Sequence, residues 1–169
     1  MKKYCRAGLR TLISVAVLLI PALISCMESQ NGLVKPKSIT EVIFEHPQFS
    51  ILKDIIESTN MADSLEASPI TLFAPSNEAF EKANIFSSAA VLALPQDSAK
   101  RFLQNHILMR KMDYSRFVTS QLKAQGGANL TVTKVGTDIT VNKSAIILPD
   151  INASNGVIHV IDSLLVKYR

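Results

Sequence analysis

The side chains best suited to acid–base chemistry in this chain of 169 residues are its three histidines, His46, His106 and His159. An imidazole can act as a general base, bind a metal ion or satisfy polar groups in a core. His159 lies in the apolar run from Val157 to Ile161, where a neutral ring is stable if both nitrogens find hydrogen-bond partners. His106 shares the apolar face of a predicted helix. We predict that both are core histidines and that His46 marks a helix end.

Enzymatic chemistry would need groups that the sequence does not space for it. It contains no Gly-x-Ser-x-Gly turn and no His-Glu-x-x-His pair, and its histidines are too far apart to form a helical metal pair. Ser76, His106 and Asp150 could meet in space, but many other trios could too. We therefore predict no catalytic residue, metal site or cofactor. A serine beside His106 or His159 would instead favour a hydrolase.

The one cysteine with a predicted chemical role is Cys26. Residues 1–25 carry four basic residues and no acid, followed by an apolar stretch, which is the pattern of a secretory signal peptide. That segment ends in Leu23-Ile24-Ser25-Cys26, which resembles a bacterial lipobox, so Cys26 is predicted to be lipidated. A plain signal peptide and an N-terminal membrane anchor remain alternatives. Residues 26–37 would then form the lipidated N-terminus and a flexible tether.

Charge argues against nucleic acid as a partner. Removing the four basic residues of the signal from the chain's 18 leaves 14, equal to its 14 acidic residues. A formally neutral body lacks the basic excess that phosphate binding needs. Met27 follows the lipobox cysteine where inner-membrane retention would need an aspartate, so we expect an exported lipoprotein of the outer membrane, on a side left undetermined.

Helix signals dominate the first half of the remaining chain. Ser38-Ile39-Thr40-Glu41 has capping-box spacing, so a short helix is predicted from there to before Pro47. An amphipathic helix is predicted over residues 49–60, and another from Pro95 through His106. Between them, residues 70–74 form a β-rich run that leads into a helix capped by Ser76.

Strand signals dominate the second half. Alternating or apolar runs over residues 130–135, 139–141, 145–148 and 157–161 are separated by turn residues, and a last apolar run covers 164–166. Helices first and strands later predict an α+β fold with an antiparallel sheet or sandwich. No internal repeat is present, so residues 38–169 are predicted to form a single domain.

Two stretches resemble the paired signatures of the fasciclin (FAS1) domain family. The first runs from Thr71 through Phe73, Ala74 and Pro75 to Phe80, and the second runs from Asn155 and Gly156 through His159 to Asp162. The resemblance implies a wedge-shaped β-sandwich with several helices, mostly before the main strands, and a non-enzymatic adhesion or interaction module.

The resemblance also implies two contact regions. Family members usually carry a Tyr-His pair where this chain has Asn105 and His106, and they use a segment before the second signature that aligns with Leu148-Pro149-Asp150-Ile151. His106, Asp150 and Ile151 are therefore candidate contacts with a partner. The tyrosine is absent and the lipobox is bacterial, so integrin binding is not carried over.

Loops add further candidates, because binding residues concentrate on loops held by a scaffold. The segments between Asp113 and Asn129 and between Asp150 and Asn155 are predicted loops. Tyr114, Arg116 and Phe117 in the first have the aromatic and guanidinium chemistry of interface anchors, although the two aromatic residues could equally pack on the sheet. The predicted function is adhesion or protein and matrix interaction at the cell envelope, with an unidentified protein or polysaccharide partner; capture of a glycan or small ligand for uptake is the alternative.

Overall fold

The structure, a computed structural model, describes residues 35–67 and 69–167. These residues contain six short α-helices and seven strands, with three helices before the first strand, three between the first and second strands, and only strands and one 3₁₀-helix after that. The helices are α1 Ile39–Glu45, α2 Ser50–Ser58, α3 Ala62–Glu66, α4 Asn77–Lys82, α5 Ala89–Leu92 and α6 Gln96–Gln104. The strands are β1 Ile70–Pro75, β2 Ile107–Leu108, β3 Ser120–Lys123, β4 Asn129–Val135, β5 Asp138–Val141, β6 Ser144–Ala153 and β7 Gly156–Ile161. Two 3₁₀-helices cover Pro47–Phe49 and Tyr114–Arg116.

The capping signals behave as their chemistry predicts. The Ser38 hydroxyl accepts from the Glu41 N–H while the Glu41 carboxylate accepts from the Ser38 N–H, so the predicted capping box is present. Ser76 caps α4 in the same way, by accepting from the Ala79 N–H at 3.3 Å. These local bonds satisfy backbone donors that a helix start leaves free.

All seven strands form one sheet in the order β2-β1-β7-β6-β5-β4-β3. Every pair is antiparallel except β1 and β7, which run parallel from Ile70 opposite Gly156 to Pro75 opposite Ile161. The predicted antiparallel arrangement is therefore wrong for this one pair of strands. The physical reason is burial: all six residues of β1 and all six of β7 are buried, so both strands are covered on two faces.

Two apolar clusters lie on the two faces of these central strands. Ile39, Phe49, Leu72, Phe102 and Ile158 belong to the cluster beneath the N-terminal helices. The second cluster, on the side of β3 to β5, includes Phe73, Phe117, Leu130, Val141 and Ile161. The predicted α+β class, with helices mostly ahead of the main strands, is confirmed.

Several boundaries differ from the sequence-based predictions. β2 and β3 were not predicted, and residues 164–166 form no strand. The predicted loop from Asp150 to Asn155 is mostly strand, because β6 continues to Ala153 before a tight turn. His106 lies just beyond the end of α6 rather than on its apolar face. Short two- to four-residue strands with little alternation carry too weak a pattern to detect.

The predicted signal peptide, Cys26 and the tether up to Val34 lie outside the described residues. Lys37, the last predicted tether residue, accepts a hydrogen bond from the Ser154 N–H at 2.8 Å and pairs with Glu45. Within residues 35–67 and 69–167, no helix has both the length and the apolar character needed to cross a membrane.

Candidate interaction surface

His159 is fully buried and bonded at both ring nitrogens. Its Nδ1 accepts a hydrogen bond from the Asp150 N–H at 3.1 Å, and its Nε2 donates to the Met112 carbonyl at 2.9 Å. Accepting at one nitrogen and donating at the other is the pattern of a neutral imidazole. Burial lowers the pKa of His159, and the Met112 carbonyl and the charges of Asp150 and Asp113 only partly oppose that effect.

Aromatic rings enclose this imidazole. The centroid of the His159 ring lies 5.4 Å from that of Phe117, 5.9 Å from that of Phe73 and 6.5 Å from that of Tyr114. These distances fall in the range of ordinary aromatic packing. The prediction that His159 is a core histidine with satisfied nitrogens agrees with this geometry.

Through its hydrogen bonds, His159 holds the backbone of β6 in an unusual shape. Asp150 has a positive φ of 56°, a conformation that side chains other than glycine rarely adopt. Its N–H is fixed by His159, and its carboxylate accepts from the Tyr114 N–H at 2.8 Å. The buried histidine therefore positions an exposed carboxylate.

Two single-residue bulges shape β6 at the same place. Its register against β7 shifts once between Ile146 and Leu148 and again between Leu148 and Ile151. Each bulge adds a residue without a partner and bends the strand. As a result, Ile147 is 54% exposed and Leu148 is 48% exposed, although both are large apolar residues. We call residues 147–150 the β6 ridge.

Arg116 and Tyr114 lie beside the β6 ridge. Tyr114 opens the 3₁₀-helix that ends at Arg116, and its backbone N–H is bonded to Asp150. Its hydroxyl donates to the Thr137 carbonyl at 2.8 Å, which ties the helix to the turn between β4 and β5. The Tyr114 side chain is half-buried, whereas Arg116 is exposed. Of the predicted contacts, two are thus exposed, Arg116 and Asp150, and two are half-buried, Tyr114 and Ile151.

Two of the predicted contact residues do not reach the protein surface. Phe117 is 1% exposed and packs in the second apolar cluster, so of the two roles left open for it the structure shows packing and not contact with a partner. His106 is also 1% exposed. Its Nδ1 donates to the Phe102 carbonyl at 2.9 Å, and its Nε2 accepts from the Leu165 N–H at 3.2 Å. A partner of the folded domain cannot touch either ring.

The electrostatics of His106 fit this internal role. Burial lowers its pKa to about 4, with the hydrogen bond to Phe102 as a weaker opposing effect. The trio of Ser76, His106 and Asp150, which the sequence left as one arbitrary combination, is not assembled, because Ser76 caps α4 and Asp150 is bonded to Tyr114 and His159. The histidine instead joins the end of α6 to the segment after β7.

The signature residues have structural tasks. The buried Thr71 hydroxyl donates to the Arg110 carbonyl at 2.7 Å and accepts from the Met112 N–H at 2.9 Å. Asp162 accepts from the Ala145 N–H at 2.9 Å and from Lys82 at 3.0 Å. Burial would raise the pKa of Asp162, but the bonds from Lys82 and Ala145 outweigh it and hold the pKa below its ordinary value.

Asn155 has a role that the sequence analysis missed. We expected a turn residue, but its side chain accepts from the Ile39 N–H at 2.9 Å and donates to the Leu65 carbonyl at 2.8 Å. It thereby joins the start of α1 and the end of α3 to the β6–β7 turn. These partners lie 116 and 90 positions away, so no local pattern could have revealed them.

A groove of about 530 Å³ borders α4 and the segment after β7. Part of its polar lining is already engaged: Lys82 pairs with Asp162, and the Asn142 amide donates to the Leu165 and Asn129 carbonyls. Convergent polar groups left free for a ligand are what a small-molecule site requires. Among the described residues, no group of three His, Cys, Asp or Glu side chains is placed to hold a metal ion.

Comparison with known proteins gives a consistent picture. The family model for the Fasciclin domain matches residues 47–167. "Protein sll1483" of Synechocystis is 31% identical over 144 residues, which cover 83% of this chain and 79% of that protein. "Cell surface glycolipoprotein MPB83" of Mycobacterium bovis is 29% identical over 63% of this chain and 47% of its own length.

A solved structure shares the fold. The FAS1 domain pair from the insect cell adhesion molecule Fasciclin I superposes with a TM-score of 0.63 at 18% identity, and the match covers 79% of this chain and 52% of that one. Human periostin is 28% identical over 83% of this chain, which corresponds to 19% of the much longer periostin.

Proposed function

This chain belongs to the Fasciclin domain family, and from that premise we propose that it is a non-enzymatic module for adhesion or macromolecular contact at the cell envelope. The observation that carries the proposal is the β6 ridge. Two bulges expose Ile147 and Leu148 beside the carboxylate of Asp150, in a strand whose neighbour β7 is wholly buried. Exposed apolar residues rimmed by charge are typical of surfaces that bind macromolecules.

The two buried histidines support a binding role over a catalytic one. Both ring nitrogens of His106 and both of His159 are hydrogen-bonded to main-chain groups of the fold. A general base must have a nitrogen free to take the proton of a substrate or nucleophile. Rigid support from His159 also lowers the entropic cost of ordering the ridge when a partner binds.

We further propose that lipid on Cys26 holds the domain at a membrane. The lipobox resemblance supports this, as does the similarity to a mycobacterial cell surface glycolipoprotein. Many copies fixed to one membrane would act together, so weak individual contacts could give firm attachment. Export to the outer membrane is part of the same proposal.

A cell-retention assay tests the binding surface. A strain lacking the protein is complemented with the wild type, with Ile147→Ser/Leu148→Ser, or with Phe86→Ser, which removes an even more exposed apolar residue elsewhere. Cells are washed over a surface coated with envelope protein and polysaccharide extracted from the same strain. We expect the wild type and Phe86→Ser to restore retention and the double variant to fail at equal protein abundance.

Equal retention of the deletion strain and the wild-type strain would overturn the adhesion proposal. The alternative, capture of a glycan or small ligand, predicts that free sugars from the envelope extract raise the melting temperature of the purified domain. Protease treatment of intact and permeabilised cells then places the domain outside the cell or in the periplasm.

A further inference from the structure

The two edges of the seven-stranded sheet border a common groove. β2 and β3 are the outermost strands, and residues from both line a groove of about 310 Å³. The lining consists of Leu108, Met109, Arg110, Gln121, Leu122 and Lys123. This groove shares no residue with the β6 ridge, so its role is independent of the function proposed above.

The edges meet at one end of this groove and separate at the other. The Gln125 N–H donates to the Ile107 carbonyl at 2.9 Å, just beyond the end of β3. Among the described residues, β2 and β3 are not paired in a ladder past that bond. The sheet is therefore nearly closed into a barrel, with a gap beside residues 108–110 and 121–123.

Main-chain groups of β3 are free along the gap. The Ala124 N–H donates to the Ala128 carbonyl, and antiparallel pairing places Leu122 opposite Leu130 and Ser120 opposite Val132. Bonded pairs alternate in such a ladder, so Gln121 and Lys123 turn their N–H and C=O groups away from β4. Within the described residues no other group bonds to them. A strand edge of this kind can pair with an incoming strand.

The side chains around the gap define what such a strand should look like. Leu108 is buried and Leu122 half-buried, and both pack in the second apolar cluster, so that side of the groove is apolar. Lys123 is exposed on the opposite face of β3 from Leu122, and Arg110 is exposed as well. Within the described part of the chain, neither forms an ion pair with an acidic side chain. Side chains of an added strand alternate between these two sides.

We propose that the free edge of β3 binds an extended peptide with alternating apolar and acidic side chains by β-sheet addition. Main-chain hydrogen bonds to Gln121 and Lys123 supply the affinity, and the apolar side chains fill the groove beside Met109. Acidic side chains face Arg110 and Lys123. A second copy of this domain is a poor occupant, because it would bring the same two cations to the groove.

Titration with a defined peptide tests this proposal. The probe is the blocked peptide Asp-Val-Glu-Val-Glu-Val-Asp, and the matched control carries lysine in place of each acidic residue. Both are added to the isotope-labelled domain while backbone amide resonances are followed. We expect shifts and slowed hydrogen exchange at Gln121 and Lys123 with the acidic peptide, and not with the basic one.

Two protein variants separate main-chain pairing from charge. Gln121→Pro removes one outward N–H without touching the β3–β4 ladder, whereas Gln121→Ala keeps it. We expect the proline variant to bind roughly ten-fold more weakly than the alanine variant, as one lost hydrogen bond implies. Arg110→Glu/Lys123→Glu should weaken the acidic peptide and favour the basic one, which keeps the test valid if proline perturbs the fold.

Three binding results would overturn the proposal. One is no shift at β3 with about 1 mM acidic peptide, a concentration at which a useful contact should already be populated. The others are equal binding by Gln121→Pro and Gln121→Ala, and equal binding of the two peptides. Self-association of the free domain that Gln121→Pro abolishes would also overturn it, in favour of a second copy. None of these results bears on retention by the β6 ridge.

Discussion

At the scale of single residues, two buried histidines bond both ring nitrogens, but with the donor and acceptor nitrogens exchanged. His106 donates from Nδ1 and accepts at Nε2, whereas His159 accepts at Nδ1 and donates from Nε2. Each therefore requires a neutral ring with one defined tautomer, set by the main-chain groups around it. The apolar neighbours of both histidines in the sequence predict that the two rings lie in the core. They do not predict which main-chain groups the rings bond to, because most of these groups lie far along the chain.

The role of His159 predicts a stability cost for losing its bonds. His159→Phe keeps an aromatic ring among Phe73 and Phe117 but leaves the Asp150 N–H and the Met112 carbonyl without their partner. We expect the free energy of unfolding to fall by about 1–3 kcal/mol. Urea denaturation measures this. His46→Ala, at an exposed site, is the control and should change stability by less than about 0.5 kcal/mol; an equal effect of the two variants would contradict the assigned role.

The low pKa of His106 predicts how stability depends on pH. Burial lowers this pKa from 6.5 to about 4, so the unfolded chain binds a proton more readily than the folded one between these values. Stability is therefore highest above pH 6.5 and falls as the pH drops toward 4. From pH 7 to pH 4.5 we expect a loss of about 2–3 kcal/mol from this group.

A variant without the titrating ring isolates that contribution. His106→Gln should be less stable at pH 7, yet its stability should fall less between pH 7 and pH 4.5. Urea denaturation at both pH values gives the comparison. Asp162 interferes little, because its pKa is lowered and its contribution is lost at lower pH. An unchanged slope in His106→Gln would show that other groups cause the pH dependence.

At the scale of elements, strong local signals predicted structure well and weak ones did not. The capping box at Ser38 and the cap at Ser76 each determine where a helix begins through contacts within a few residues. The parallel contact of β1 with β7 joins Ile70 to Gly156, and no local pattern encodes a partner so distant. For the same reason the continuation of β6 from Asp150 to Ala153 was predicted as a loop, since bulges depend on the register between two strands.

The parallel pair sets a strict requirement at Gly156. A Cβ added there would lie 2.1 Å from the Ile70 carbonyl oxygen and 2.9 Å from the Ile39 side chain, so β1 and α1 would both have to move. We expect Gly156→Ala to lower the free energy of unfolding by more than about 3 kcal/mol. Thermal melting measures the effect.

The matched control is Gly136→Ala. That residue has a φ of +60° and no atom within 4 Å of an added Cβ, so the substitution introduces backbone strain but no steric clash. About 1 kcal/mol is expected for the left-handed conformation. If the two alanine variants melted at the same temperature, close packing of β7 against β1 would not be the constraint.

At the scale of the whole molecule, the domain and its proposed lipid anchor are separable in the sequence. The described body contains no cysteine, because Cys5 and Cys26 both precede residue 35. The described body is therefore stabilised without a disulfide. A substitution at either cysteine is expected to leave the folding of the body unchanged, which makes the anchor testable on its own.

Metabolic labelling with an alkyne-tagged fatty acid tests the anchor. Cys26→Ser should abolish the label, whereas Cys5→Ser, in the predicted signal peptide, should retain it. Each buried methylene contributes about 0.8 kcal/mol, so two or three acyl chains would hold the mature protein on a membrane for its lifetime. Labelled wild-type protein should accordingly stay with membranes through high-salt washing. Undiminished label in Cys26→Ser would exclude this cysteine as the anchor and leave an uncleaved apolar N-terminal segment as the means of attachment.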